Sequence, residues 1–222
     1  LQKAIISGVE RAEEKYPIAV GLICILQRTK SVEENEIWVD FALKPQHQFV
    51  ALDLADNEVD FDPEPFIPLF KKAKDAGLGI TVHAGEPNVP GISRNIRTAI
   101  EKMGADRIGH GLQAIEDPEV IALLIDRGIP LELCPTSNWL TGACSSIATH
   151  PFKALFEAGV KTTVNTDDPG IMCTNLLNEY ALLTTECGID LATLEACNAW
   201  ALEASFIPTT KKEAAWNQRL RP

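Results

Sequence analysis

No stretch of this 222-residue chain has the roughly 20 consecutive apolar residues that a membrane-spanning helix takes. The longest apolar run, 18–26, has the length of a buried strand. Positive charge is scarce too: 20 Lys and Arg face 31 Asp and Glu, a formal net charge of −11. An acidic surface repels a polyanion, so a nucleic-acid partner is not expected, whereas a small neutral substrate is allowed. The six cysteines form no CxxC pair. A chain of this size buries a core without staples, so free thiols in a reducing cytoplasm are the expectation. No signal peptide is visible. Ile5, Val9, Ala12 and Tyr16 fall near one helical face, so Leu1 lies inside a helix pattern and upstream sequence is expected.

What is present is a rhythm of about thirty residues, the size of one βαβ unit. Expected strands are 18–26, 49–54, 79–83, 107–110, 129–134 and 161–165. They read as continuous apolar runs, as parallel strands buried on both faces do. Asp62-Pro63, Asp117-Pro118 and His150-Pro151 mark helix starts, and Gly77, Gly128 and Gly159 mark the matching ends. Asp190 is placed to cap a later helix. Polar residues stand at or just after five successive strand ends: Asp53, His83 with Glu86, His110, Ser137 with Asn138, and Asp167 with Asp168. An open sheet gathers its site near one switch point, whereas a barrel collects polar groups around one rim. The chain therefore reads as one catalytic domain over 1–222, a TIM-type (β/α)8 barrel. Such a barrel typically takes ~250 residues, so about two strands are expected to be absent.

Three motifs carry candidate chemistry. TVHAGE (81–86) ends a strand on His83 and sets Glu86 three residues on. A buried core histidine and a helix-capping acid explain the pair equally well. RIGHG (107–111) places His110 between two glycines, where a polar turn is the plainer explanation. NTDDPG (165–170) sets Asp167 beside Asp168. Adjacent carboxylates repel unless something positive neutralises one of them, and a helix cap accounts for only one. Taken together, a His and an Asp from different strands suit zinc, with a second His and a Glu left for proton transfer. A bound metal lowers the pKa of a water to near 7, so the set points to metal-assisted hydrolysis. His47 is expected to be exposed, and His150 is assigned to helix entry. In CPTSN (134–138), Ser137 is available to a ligand, although Ser and Asn also close turns.

VHAGE, RIGHG, LCPTSN and NTDDPG, in this order and spacing, resemble the adenosine deaminase family of the amidohydrolase superfamily, especially its bacterial members. FVALDLADNE (49–58) is similar to that family's fourth-strand motif. The likeness runs from about residue 18 to the last helices. It implies a metal-dependent hydrolase barrel holding one Zn2+ through His83 and Asp167. It implies that Glu86 protonates purine N1 as hydroxide adds to C6, and that His110 orients and helps deprotonate the water. Asp168 would hydrogen-bond at the purine N7 edge, with Asp53, Asp56 and Ser137 at the substrate. The implied reaction turns adenosine or 2′-deoxyadenosine into inosine or 2′-deoxyinosine plus ammonia, as in purine salvage.

Two departures accompany the resemblance. The family's DLAG glycine is Asp56 here, a residue that tolerates unusual backbone angles but adds a carboxylate near the substrate. The family's HxH zinc ligands on its first strand do not occur in this chain. Alone, the 222 residues are therefore expected to bind zinc weakly and turn over little. Two other functions remain open: deamination of adenine or another 6-aminopurine, and a purine-binding barrel or fragment without catalysis. The cytidine deaminase signature, H-x-E with P-C-x-x-C, is absent.

Overall fold

A computed structural model describes residues 2–45 and 48–219; His47 lies outside the described residues. Six strands form its sheet: β1 (Leu22–Gln27), β2 (Phe49–Ala55), β3 (Gly79–Ala84), β4 (Arg107–His110), β5 (Leu131–Leu133) and β6 (Thr162–Val164). Every pairing is parallel, and the spatial order is the sequence order, 1-2-3-4-5-6. A doubly wound sheet reverses direction at a switch point. This one never does, so each crossover rolls the sheet the same way, as in a (β/α) barrel. Among the described residues, β1 and β6 each have a strand neighbour on one side only.

The expected strands all form: the fourth as expected, the second and third one residue longer, the fifth and sixth shorter, and the first shifted. The first starts at Leu22 rather than 18, because the Val20 amide donates to the Glu13 carboxylate at 2.7 Å and 18–21 become a connection. Helix entry follows short-range chemistry. Helix α1 (Gln2–Lys15) buries no residue, so its apolar stripe stays largely open. Ser31 and Glu34 form a reciprocal cap on α2 (Val32–Ala42). The Asp62 carboxylate accepts from the Glu64 amide, yet it opens only a 3-10 turn; α3 proper is Ile67–Asp75. Helix α4 spans Arg94–Thr98. Asp117 caps α5 (Pro118–Arg127) by accepting from Glu119 and Val120, and Gly128 ends it at φ +63°, where a side chain would be strained.

Five further helices follow β5: α6 (Pro135–Leu140), α7 (Phe152–Glu157), α8 (Pro169–Met172), α9 (Leu176–Cys187) and α10 (Leu191–Ala204), then α11 (Thr209–Arg219). Asp190 caps α10 as expected, accepting from the Thr193 amide. The core lies between sheet and helices, where Leu52, Ile80, Val82 and Ile108 meet Phe70, Leu124 and Phe152. Among the described residues no helix is long and apolar enough to cross a membrane. Because all strands run one way, their carboxyl ends share one rim, and the chemistry collects there.

Candidate active site

Three non-glycine residues at that rim hold left-handed backbone: Asp56 (φ +84°), His110 (φ +59°) and Asp167 (φ +54°). Such a conformation costs about 1–2 kcal/mol per residue and is kept where surrounding structure demands it. Each follows or ends a strand, so the strain sits where the rim turns outward. At Asp56 the carboxylate bonds the Thr29 hydroxyl and its neighbour Asn57 amide, which compensates locally. The side chain is exposed at the rim.

His83, one residue before the end of β3, lies directly against Gly109 of β4, and a Cβ at that glycine would lie 3.1 Å from His83 Nδ1. Glycine is what lets the ring sit there. Its Nδ1 donates to the buried Asp53 carboxylate at 2.9 Å. Burial pushes the imidazolium down, but Asp53 outweighs it and holds the pKa up to about 9. Nε2 is left free. The rings of His83 and His110 stand edge to face, 4.9 Å between centroids. Ligand atoms of His83, His110 and Asp167 all lie within 4.8 Å of one another. His110 Nε2 is 3.7 Å from Glu86 Oε2 and 3.9 Å from Asp167 Oδ2. Burial pushes His110 below its ordinary pKa, against the pull of Glu86.

The structure thus brings together His83, Glu86, His110 and Asp167. Two further residues stand directly behind them. Asp53 and Ser137 were expected at the substrate; both are buried and already engaged, Asp53 on His83 and Ser137 through a 2.7 Å hydrogen bond to Asp167 Oδ2. They orient candidate ligands. Asp168 stands exposed at the start of α8, its backbone carbonyl bonded by Ile171 and Met172.

Three supports escaped the sequence reading. Glu58 is buried and accepts from the Gly85 amide (2.9 Å), the Glu86 amide (3.0 Å) and Asn95 Nδ2 (2.9 Å), holding the loop that carries Glu86. Arg28, 2% exposed, donates to the carbonyls of Leu54, Ala55 and His83. Burial lowers its pKa, while Glu58 and Asp53 supply opposing charge. Its signal was legible, since it follows an apolar strand as the other site residues do. Glu179 of α9 is buried on α6, accepting from the Thr136 amide and hydroxyl. His150 does serve helix entry, accepting from the Phe152 amide at 3.1 Å. It also reaches Asn138 Oδ1 at 3.1 Å, and so touches the site's framework.

His150 carries a pH prediction. Burial, with His110 nearby, pushes its pKa down to about 4 from 6.5. A histidine lowered on folding favours the neutral folded form. Its contribution is fully present above pH 6.5 and is lost as the pH falls toward 4, up to about 3 kcal/mol. Urea unfolding between pH 7 and pH 4.5 should show this loss, and His150→Gln should flatten it. An unchanged slope in the variant would assign the acid sensitivity elsewhere.

A parallel sheet rim with a free imidazole nitrogen, a supported carboxylate and an adjacent Glu–His pair is an arrangement that could hold a metal ion beside groups able to move a proton. The donor chemistry fits a borderline ion such as zinc, with nitrogen and oxygen ligands each oriented by a second residue. A family model described as adenosine deaminase matches residues 1–218. This chain belongs to the adenosine deaminase family. It is 38% identical over 216 residues to an adenosine deaminase of Plasmodium gallinaceum, covering 96% of this chain and 59% of that one. An adenosine deaminase of Escherichia coli (strain SE11) is 35% identical over 212 residues, covering 96% and 63%. The chain therefore spans about three-fifths of the length of these relatives.

Solved structures agree. An amidohydrolase from Burkholderia ambifaria with bound Zn superposes with a TM-score of 0.87 at 29% identity, covering 98% of this chain and 60% of that one. The N6-methyl-AMP deaminase from Arabidopsis thaliana gives 0.78 at 32% identity, covering 90% and 58%. An adenine deaminase from Arthrobacter aurescens, 24% identical, shares the fold at a TM-score of 0.87 over 98% of this chain and 67% of that one.

Proposed function

We propose that residues 1–222 form the larger part of one catalytic barrel that hydrolytically deaminates adenosine and 2′-deoxyadenosine, with zinc as the metal. The convergence of His83, Glu86, His110 and Asp167 at one rim carries this reading. His83 Nε2 and the Asp167 carboxylate are the groups that would hold zinc. Bound there, zinc would supply a Lewis acid that makes a water acidic near neutral pH. Glu86 is the group that would deliver a proton to purine N1, its Oε1 steadied by the Thr141 hydroxyl at 3.0 Å. His110 orients the attacking water, and Asp168 stands beside Asp167 to meet the N7 edge. Addition at C6 with protonation at N1 removes the ring's aromaticity, and loss of ammonia restores it.

The nucleoside is favoured over a nucleotide by charge. Among the described residues, Arg107 is the one lysine or arginine lining the cavity inside the barrel arc, about 440 Å3, and it is already paired with Glu132 at 3.1 Å. The adjoining cavity at the rim, about 360 Å3, is lined by Asp56, Glu58 and Glu86 and by no lysine or arginine among the described residues. A 5′-phosphate would meet carboxylates there and no lysine or arginine among the described residues.

Ammonia release from adenosine, adenine, AMP and N6-methyl-AMP by the full-length protein tests the reading. Adenosine is expected to be turned over fastest. Faster AMP or N6-methyl-AMP turnover would move the substrate to nucleotides, and no ammonia from any would favour a non-catalytic purine binder. The 222 residues alone supply two ligands where catalytic zinc usually has three, so weak zinc binding and low turnover are expected of them. Stoichiometric zinc in that chain would contradict the ligand assignment.

A further inference from the structure

His83 and His110 are neighbours, but the groups behind them have opposite polarity. Behind His83 is a carboxylate, which only accepts when ionised, so Nδ1 carries a proton whether the ring is neutral or charged, and Nε2 is the nitrogen that can exchange its proton for a metal. Behind His110 is an amide whose orientation is set by two backbone donors. The Cys134 amide donates to Asn138 Oδ1 at 3.1 Å. The Phe152 amide donates to His150 Nδ1, which leaves the His150 proton on Nε2, and that proton is also given to Asn138 Oδ1. Oδ1 therefore faces two donors, and Nδ2 must face His110 Nδ1, at 2.9 Å. An amide NH2 has only hydrogens to offer. Asn138 is 0% exposed and His150 5%, so no solvent competes for these bonds.

We propose that Asn138 and His150 are positioning residues that lock His110 as the Nε2–H tautomer, the opposite of His83. Although three donor groups cluster here, the lock leaves His83 and Asp167 as ligands and denies the metal His110 Nε2, which has no lone pair to give. His110 instead presents a hydrogen toward Glu86 and Asp167. On the deaminase reading, on which this consequence rests, His110 orients the attacking water as a donor and does not take its proton, which would pass to the Asp167 carboxylate 3.9 Å from Nε2. The relay runs from the α7 entry through α6 to β4, so three elements must be packed before the tautomer is set.

Long-range proton–nitrogen NMR of the 222-residue chain, labelled with 15N-histidine, reads the tautomer directly and independently of turnover. The His110 signals are assigned by their loss in His110→Gln. Wild-type His110 is expected to show a protonated, pyrrole-like Nε2 and a pyridine-like Nδ1. Asn138→Asp puts a carboxylate behind the ring and is expected to exchange the two positions. His150→Leu removes one of the two donors holding Oδ1 and should give a mixture. His150→Gln, whose amide can accept from Phe152 and donate to Asn138, should restore the wild-type pattern. A protonated Nδ1, or averaged nitrogens, in the wild type overturns the proposal even if the variants fail to fold. So does a His110 spectrum indifferent to both Asn138→Asp and His150→Leu.

Discussion

Replacing Glu86 with glutamine in the full-length enzyme is expected to lower kcat on adenosine about 100- to 10,000-fold, the usual scale of a lost general acid. Glutamine keeps the size of the side chain and a carbonyl to accept from Thr141, but it has no proton to release to the purine ring. The backbone of residue 86 is held by Glu58, so the loop should not move. Glu86 is not among the proposed ligands, so zinc content and melting temperature should match the wild type, and KM should change far less than kcat. The ultraviolet change from adenosine to inosine measures this. A variant that keeps more than about a tenth of the activity would remove Glu86 from the acid role, because a merely positioning contact falls short of that range.

The second large effect is on stability. Glu58→Gln should cost about 3 kcal/mol, the scale of leaving a buried hydrogen-bonding group without its partner. That corresponds to a melting point lower by roughly 10 °C for a domain of this size. Glutamine cannot accept at both terminal atoms, so at least one of the Gly85 and Glu86 amides loses its partner, and Arg28 loses opposing charge in a buried setting. Adding Arg28→Met should recover part of the loss, because removing both charges avoids an uncompensated one. Strictly additive losses in a denaturant series would mean that the two side chains act separately. The loop carrying Glu86 would be the first part to loosen, so activity should fall by more than the population of folded protein accounts for.

Much of this site could be read from the chain because its parts are local. A strand of apolar β-branched residues that ends in His83 or His110 announces both the element and the polar group at its tip. Asp117-Pro118 and Asp190 announce helix starts because a carboxylate two or three residues from a free amide needs no tertiary help. The same locality misled at Asp62, where the side chain caps a 3-10 turn and Pro68 governs the true helix start. It misled again at His150, whose local bond to Phe152 is real but is half of what the ring does.

The sequence by itself determined the alternation of strand and helix, the residue types at the strand tips and the family they resemble. Those depend on period, capping and motif, which are properties of neighbours along the chain. Tertiary structure alone decided that six strands pair in unbroken order. It alone set Asp53 behind His83, Ser137 behind Asp167 and Asn138 behind His110. It alone buried Glu58 under the Glu86 loop, with Arg28 reaching the strand-end carbonyls. These contacts join residues roughly 30 or more positions apart, across separate strands and helices, and each assigns a proton or a charge. Which imidazole nitrogen is free to bind a metal is a question of what stands behind the ring, and no pattern along the chain encodes that.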